Sequence, residues 1–173
     1  MASRATAIQA HAVSRLTTND WFVNVPVITQ RLFYIENIVD IAVQKLGTCV
    51  LIVTPKFDDD QPSNPFPVGL FRLTATVFEQ VVINQSATGS QKSALETAEL
   101  ILGLLKGWKL PDADTCFFPD TPTIELVEDP DFLRYDVNMA IKDGYELVDQ
   151  GQPLASGNND TLLSGMGIGL TSG

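Results

Sequence analysis

The sequence predicts an α+β domain: a four-stranded, mainly antiparallel sheet with two helices packed on one of its faces. The first observation behind this class is the order of patterns along the chain, which runs helix, two strands, helix, two strands. The second is that strands joined by short turns are usually antiparallel neighbours, and two packed layers bury the apolar side of such a sheet. We place this core at residues 20–149, between an N-terminal arm (1–19) and a C-terminal extension (150–173).

The first half of the chain predicts an arm, a helix, a strand and a loop. The arm is rich in Ala, Ser and Thr and is expected to be either a short helix or an extended arm, which in both cases buries little by itself. Apolar residues at spacings of three and four predict a helix from Thr29 to Leu46, which Gly47 can end. The apolar run from Cys49 to Pro55 predicts a central strand. Residues 56–67 contain three prolines and three consecutive aspartates, which predict a loop.

The second half begins with a long strand, predicted from about Val68 to Ile83 because apolar and polar residues alternate within it. A turn follows, and Thr88 with Gln91 three residues later matches a capping pair at a helix start. The helix after this turn extends to about Trp108, with apolar residues again at spacings of three and four.

Two further strands, Thr123–Glu128 and Phe132–Lys142, predict a hairpin across an Asp-Pro-Asp turn. The sheet face that points away from the helices is expected to be too polar for a second core and to suit a wet surface or a polar subunit contact. Its predicted residues are Arg72, Thr74, Thr76, Arg134, Asp136 and Asn138. The extension from Gln150 is rich in Gly, Ser and Asn and is predicted to be flexible.

The charge of the chain is concentrated in one segment. Residues 111–150 carry eleven acidic side chains against two basic ones, and so hold most of the net charge of −10. An acidic protein of this kind is unsuited to gripping nucleic acid by its phosphates, although DNA could pass such a surface without sticking. Solubility alone is the alternative explanation of the charge.

No residue pattern predicts a catalytic residue, a cofactor site or a metal site. Asp58–Asp60 could supply oxygen ligands to calcium or magnesium, but no glycine or downstream glutamate completes a calcium loop, and a solvated acidic loop is the alternative. His11, the single histidine, lies in the arm without a nameable partner. The turn from Thr88 to Ser93 resembles a phosphate loop but has Gln91 where the second glycine is required.

Cysteine use and hydropathy indicate an ordinary globular protein without a membrane partner. Cys49 and Cys116 have no metal spacing and are predicted to be reduced and partly buried, with a disulfide as the alternative. No apolar run approaches the roughly 20 residues that a membrane-spanning helix needs, and no secretory signal is expected.

Several short segments, taken together, carry a family resemblance. They are Trp21-Phe22, Val25–Ile28, a strand ending in Pro55, Val77–Gln80 before Ile83-Asn84, and Leu104–Trp108 at the end of the second helix. Over about residues 20–148 the chain resembles the small tail-completion and tail terminator proteins of long-tailed bacteriophages, which share this order of helices and strands.

The resemblance implies a virion protein of the phage tail or neck, assembled in the host cytoplasm. Such a protein forms a ring, usually a hexamer, that closes the tail tube and joins it to the head–tail connector. Its partners would be copies of itself, the tail tube protein and the connector protein, and DNA would pass through the lumen without specific binding. We therefore expect these acidic residues to face the lumen or a subunit interface: Glu125, Glu128, Asp129, Asp131 and Asp136.

The loop residues Asp58, Asp59 and Asp60 are a second candidate for contact with the tube or the connector. Another neck, head–tail connector or tail-tube-initiating protein is the nearest alternative. A small metal-binding protein or an enzyme using Asp58–Asp60 is the alternative from a different class, whereas the main expectation is a structural protein without enzymatic activity.

Overall fold

The structure, a computed structural model, describes residues 3–30, 35–59, 68–111, 113 and 115–144. In chain order the elements are α1 (Arg4–Thr17), a 3₁₀ helix (Asp20–Val23), β1 (Val27–Thr29), α2 (Ile35–Leu46), β2 (Thr48–Ile52), β3 (Lys56–Asp59), β4 (Val68–Glu79), α3 (Val81–Asn84), α4 (Ala94–Leu105), β5 (Phe118–Val127) and β6 (Leu133–Gly144). These elements form an α+β fold around one mixed sheet, so the predicted class is confirmed. Among the helices of these ranges, none has the length and apolar character that crossing a membrane requires.

The described part of the sheet has six strands rather than four. Its order is β1-β2-β4-β6-β5, and β3 pairs with β4 beyond the end of β2. β1 and β2 are parallel, whereas the other pairings are antiparallel. The longest ladder joins β4 to β6, from Val68 opposite Gly144 to Glu79 opposite Leu133. The predicted hairpin of β5 and β6 is present, with a shift of register between Pro119 and Ile124.

The two additional strands are β1 and β3, which correct the prediction of four antiparallel strands. β1 ends at Thr29, where the predicted helix was to begin, whereas α2 starts at Ile35; β3 occupies the start of the predicted loop at 56–67. Within β3, Phe57 lies opposite Phe71, and their ring centroids are 4.8 Å apart. Both short strands pair with an edge that β2 or β4 would otherwise leave open. Neighbouring strands rather than local propensity therefore determine their conformation.

The two long helices pack on opposite faces of the sheet, which corrects the prediction that they share one face. α4 belongs to the main core, which includes alternate residues of β4 and β6. On the other face, Val39 and Val43 of α2 pack with Cys49 and Leu51 of β2. All five residues of β2 are buried, because a strand that is apolar on both faces needs cover on both. The continuous apolar run from Cys49 to Pro55 therefore indicates, in the sequence itself, a strand that is buried on both faces.

α1 is part of the main core, although the sequence predicts an arm that buries little. Ile8, Ala12 and Leu16 lie on one side of the helix and are fully buried in the core cluster that contains α4. Gln9 Nε2 donates a hydrogen bond of 2.8 Å to the carbonyl of Ile52, the last residue of β2. The packed core therefore extends to residues before the predicted boundary at 20, because α4 and the sheet supply the surface that α1 lacks by itself.

The connection between β4 and α4 contains a short helix, α3, where the sequence predicts the end of a longer strand. β4 ends at Glu79 instead of continuing to Ile83, because the next residues form α3. Gly47 ends α2 as predicted, with a φ of +80°. A Cβ at Gly47 would clash with the backbone of Asn84, so the close approach of α3 also requires glycine.

α4 begins after Ser93, so the predicted capping pair of Thr88 and Gln91 is wrong. Ser93 Oγ accepts a hydrogen bond from the Glu96 backbone N–H over 3.3 Å and donates one to the Glu96 carboxylate over 2.7 Å. Ser93 and Glu96 have the spacing of a capping box, but the Glu96 carboxylate accepts from the Ser93 hydroxyl rather than from its backbone N–H. Gln91 instead lies in the preceding turn with a φ of +55°. The extension predicted at 150–173 lies outside the described residues.

Candidate functional site

Polar side chains of β4 and β6 form an open part of the sheet face that also carries α2. Thr74 lies opposite Asn138, and Thr76 lies opposite Asp136. Strand and loop residues enclose a depression of about 410 Å³ at this place. The prediction that this face is too polar for a second core is wrong where α2 covers it, because a buried apolar cluster lies there. It holds for the open part, where all six predicted residues line the depression. We call them the polar sheet face: Arg72, Thr74, Thr76, Arg134, Asp136 and Asn138.

Ion pairs within the polar sheet face satisfy its charges. The Arg72 guanidinium contacts two carboxylates, Asp58 at 2.8 Å from Nε and Asp120 from Nη1. Arg134 donates from Nε and Nη2 to both carboxylate oxygens of Asp136, over 3.2 and 2.9 Å. In the part of the chain that the structure describes, no buried side-chain nitrogen or oxygen lacks a hydrogen-bond partner. The geometry suits a wet surface or a polar contact better than a site for a small ligand.

The pair of Arg72 and Asp120 should make stability depend on pH. The hydrogen bond from Arg72 is the main cause that lowers the pKa of Asp120 below its ordinary value of 3.8. A carboxyl group whose pKa is depressed on folding stabilises the fold above its unfolded pKa and loses this effect as pH falls through its folded pKa. We therefore expect Arg72→Gln to destabilise the protein modestly at neutral pH, and the difference from the wild type to shrink as pH falls below 3.8.

Urea denaturation at neutral and acidic pH measures this change. Arg15→Gln is the matched control, because the exposed Arg15 donates to the backbone carbonyl of Leu104 and not to a carboxylate. Its effect should be the same at both pH values. An effect of Arg72→Gln that does not change with pH would contradict the assignment of Asp120 as its titrating partner.

The acidic loop candidate, Asp58–Asp60, is only partly described, and its first residue is engaged. Asp58 lies in β3 opposite Leu70, and its carboxylate accepts the hydrogen bond from Arg72. Asp59 is the last residue of β3, whereas Asp60 lies outside the described residues. Within the described ranges, no three His, Cys, Asp or Glu side chains come together as a metal site would need. Because a guanidinium already holds the Asp58 carboxylate, that carboxylate is a poor candidate ligand for a hard cation.

The five acidic residues predicted for the lumen or an interface fall into two groups. Glu125, Glu128 and Asp131 are exposed, and within the described residues they form no ion pair. They give the hairpin of β5 and β6 a concentration of uncompensated negative charge. We call these three residues the acidic hairpin.

The other two have structural partners inside the hairpin. Asp129 accepts hydrogen bonds from the backbone N–H groups of Asp131 and Phe132, over 3.0 and 3.1 Å, and so shapes the turn. Asp136 is half-buried and bound to Arg134. Neither carboxylate is as free as those of the acidic hairpin to act on a passing polymer or on a partner.

β5 forms one border of the described sheet, with β6 on its inner side. Residues 124–127 pair regularly with β6, and we call them the β5 edge. Leu126 is 59% exposed at this edge, on the same side of the strand as Ile124, which packs against the main core. A border strand with an exposed apolar side chain is a template for pairing with another chain. The sequence predicted Leu126 as part of a strand but gave no signal that its inner side would lack cover.

The remaining sequence candidates have structural roles. The rings of His11 and Trp108 pack with centroids 5.9 Å apart. In the turn that resembles a phosphate loop, Asn84 Oδ1 accepts hydrogen bonds from Ser90 Oγ over 2.6 Å and from the Lys92 N–H over 3.2 Å. The turn is therefore organised by the buried side chain of Asn84.

Both cysteines are free thiols, which agrees with the predicted reduced state. Cys49 is buried in β2, and burial, with a smaller contribution from Asp40, raises its pKa to about 12. Cys116 is exposed, whereas the sequence predicted it to be partly buried. Cys49 is therefore protected from thiol reagents, and Cys116 is accessible to them.

Comparison with known proteins adds no family assignment to this geometry. No protein-family model matches the sequence, and no curated protein matches it at a significant level.

Proposed function

We propose that this chain is a structural subunit of a phage tail, which closes the end of the tail tube as a ring and joins it to the head connector. The resemblance of residues 20–148 to tail terminator proteins suggests this role. The geometric observation that supports it is the β5 edge, where exposed Leu126 leads into the acidic hairpin. Neither feature is needed to pack the isolated chain, whereas both suit a subunit that borders copies of itself around a channel.

The two borders of the described sheet fit head-to-tail assembly. β1 and β5 lie at opposite ends of the strand order, so the two borders differ, and a contact at the β5 edge with another surface of the next copy is head-to-tail. Contacts between different surfaces of identical subunits generate closed rings when the rotation closes. Acidic side chains on the inner wall of such a ring would repel the phosphates of DNA and let it pass without binding. Among the predicted residues, Glu125, Glu128 and Asp131 fit this wall best.

Two other functions are less well supported. Another ring of the neck, such as a connector or a tube-initiating protein, would use the same features at a different position in the virion. A small metal-binding protein or enzyme based on Asp58–Asp60 is disfavoured, because Asp58 already pairs with Arg72.

Native mass spectrometry and electron microscopy of the purified protein, with and without tail tubes, test the proposal. We expect an assembly of six times the 18.8 kDa subunit mass and a ring at one end of the tube. Leu126→Asp should shift the protein to monomers, because it places a carboxylate on the contact beside Glu125 and Glu128. Leu95→Asp on α4 is the control, since Leu95 is 43% exposed and belongs to a helix rather than to the β5 edge.

Three results would contradict the proposed function. The first is a wild-type protein that stays monomeric both alone and with tubes. The second is a ring that binds elsewhere than at the tube end, which would favour another neck protein. The third is a monomer whose melting temperature rises by several degrees with calcium or magnesium, which would favour the metal-binding alternative.

A further inference from the structure

The β5 edge requires an occupant if subunits join there, and the chain offers three candidate strands. β1 of a neighbouring copy provides only three residues. A second β5 edge would bring Glu125 and Glu128 of two copies close together, and like charges on paired strands are destabilising. The third candidate is the segment formed by residues 165–170.

Residues 165–170 alternate glycine with a large apolar residue. The glycines are Gly165, Gly167 and Gly169, and the apolar residues are Met166, Ile168 and Leu170. In an extended conformation this period of two puts all apolar side chains on one side and bare backbone on the other. Glycine lowers strand propensity, so such a segment needs an existing edge to pair with. Glycine within a strand also suits a place where another backbone approaches closely.

The charge and polarity of this segment complement the β5 edge. Residues 161–173 contain no charged side chain, so they can lie beside Glu125 and Glu128 without repulsion. On β5, Ile124 and Leu126 are the apolar residues of one side, and Leu126 is more than half exposed. An added strand with a single apolar side would cover Leu126 and extend the apolar layer beyond Ile124.

The length of the connecting chain allows the segment to reach a neighbouring copy. β6 ends at Gly144, and residues 145–164 separate it from the segment. Twenty extended residues span up to about 66–72 Å, which exceeds the roughly 40 Å length of β6. A segment returning directly along its own β5 would run parallel to that strand, because β5 and β6 are antiparallel. A neighbour can receive it in the antiparallel direction, which is the slightly more stable pairing.

We propose that residues 165–170 of one copy add as an antiparallel strand to the β5 edge of the next copy, with Ile168 beside Leu126. This inference rests on the proposed function, because it names the contact by which the ring closes. Exchange of an identical segment between copies is a low-cost route to assemblies of one chain.

Disulfide cross-linking between two kinds of full-length chain tests the contact. Both kinds carry Cys116→Ser, which removes the exposed thiol, while Cys49 stays buried. One carries Leu126→Cys and the other Ile168→Cys. After mixing and oxidation we expect a covalent dimer with one chain of each kind. As a matched control, Val82→Cys on α3 replaces Leu126→Cys; Val82 is 80% exposed, and this pair should give no dimer above background.

An acidic substitution within residues 165–170 provides a second test of the contact, with the assembled fraction as the measured quantity. Ile168→Asp in an otherwise wild-type chain should reduce the assembled fraction at least about tenfold, because a carboxylate buried without a partner is strongly unfavourable. Ser172→Asp adds the same charge outside the alternating run and should leave assembly unchanged.

The outcomes separate this inference from the function on which it rests. If the wild-type protein forms rings but the Leu126→Cys and Ile168→Cys chains give no mixed dimer, the inference is wrong and the proposed function stands. Absence of rings and cross-links in every sample overturns both. If a chain carrying both Leu126→Cys and Ile168→Cys cross-links only within itself, the assignment of the segment to a neighbouring copy is wrong.

Discussion

Replacing Leu16 by alanine is expected to lower the free energy of unfolding by about 2–5 kcal/mol, a large share of the stability of a domain of this size. Leu16 is fully buried in α1 together with Ile8 and Ala12, within the core cluster that includes α4. Shortening its side chain removes buried apolar atoms and leaves a cavity that the neighbouring side chains fill only in part. Urea denaturation followed by tryptophan fluorescence measures the loss.

The control is Ser14→Ala, on the exposed side of the same helix, which should change stability by no more than about 0.5 kcal/mol. Trp21 is a suitable reporter, because its indole N–H donates to Thr97 of α4 over 3.1 Å. If Leu16→Ala is as stable as the control, α1 does not belong to the core, and the N-terminal arm expected from the sequence is the better description.

Glu79→Gln is expected to cost about 1–3 kcal/mol, although it keeps the shape of the side chain and removes a buried charge. The Glu79 carboxylate is buried and accepts two hydrogen bonds of 2.6 Å, from Asn84 Nδ2 and from the backbone N–H of Ala94. Both partners are donors. Because an amide has only one acceptor oxygen, its NH₂ group must face one of them. The carboxylate also lies at the N-terminus of α4, where the helix dipole favours negative charge.

Glu99→Gln is the matched control, since Glu99 is exposed on α4, and its replacement should be nearly neutral. Denaturant unfolding of the two variants under identical conditions gives the comparison. Equal stabilities would show that the two donors find other acceptors without cost, and that the network around Glu79 does not hold β4 to α4.

The strands and helices with strong local periodicity could be predicted from the sequence. β4 and β6 follow a strict alternation of apolar and polar residues over most of their length, which identifies both as strands. That they pair with each other was not predicted, because alternation does not specify the partner of a strand. β1 and β3 could not be predicted, because three or four residues carry too little pattern and take their conformation from a neighbouring strand. The position of α2 was predictable in principle. β2 is apolar on both faces, which calls for cover on both, although a short apolar run also fits the central strand of a two-layer fold.

The candidate site likewise has one part that could be predicted from the sequence and other parts that could not. The polar sheet face follows from alternation alone, because residues two apart on a strand share a face. The partners of Arg72 could not be predicted, since Asp58 and Asp120 reach it only through the register of β3 and the irregular pairing at the start of β5. The exposure of Leu126 depends on which strand forms the border of the sheet, and no local pattern contains that information.

The ladder between β4 and β6 has a consequence for the timing of synthesis. Glu79 and Leu133 are 54 positions apart, and Val68 and Gly144 are 76 apart, so none of these pairs can form early. While the chain is being made, β4 has no partner on that side until β6 has left the ribosome, and Phe71 and Val77 remain accessible to other polypeptides meanwhile. The ladder can therefore form only after translation has passed residue 144, and a nascent chain that ends before β6 lacks the central pairing of its sheet.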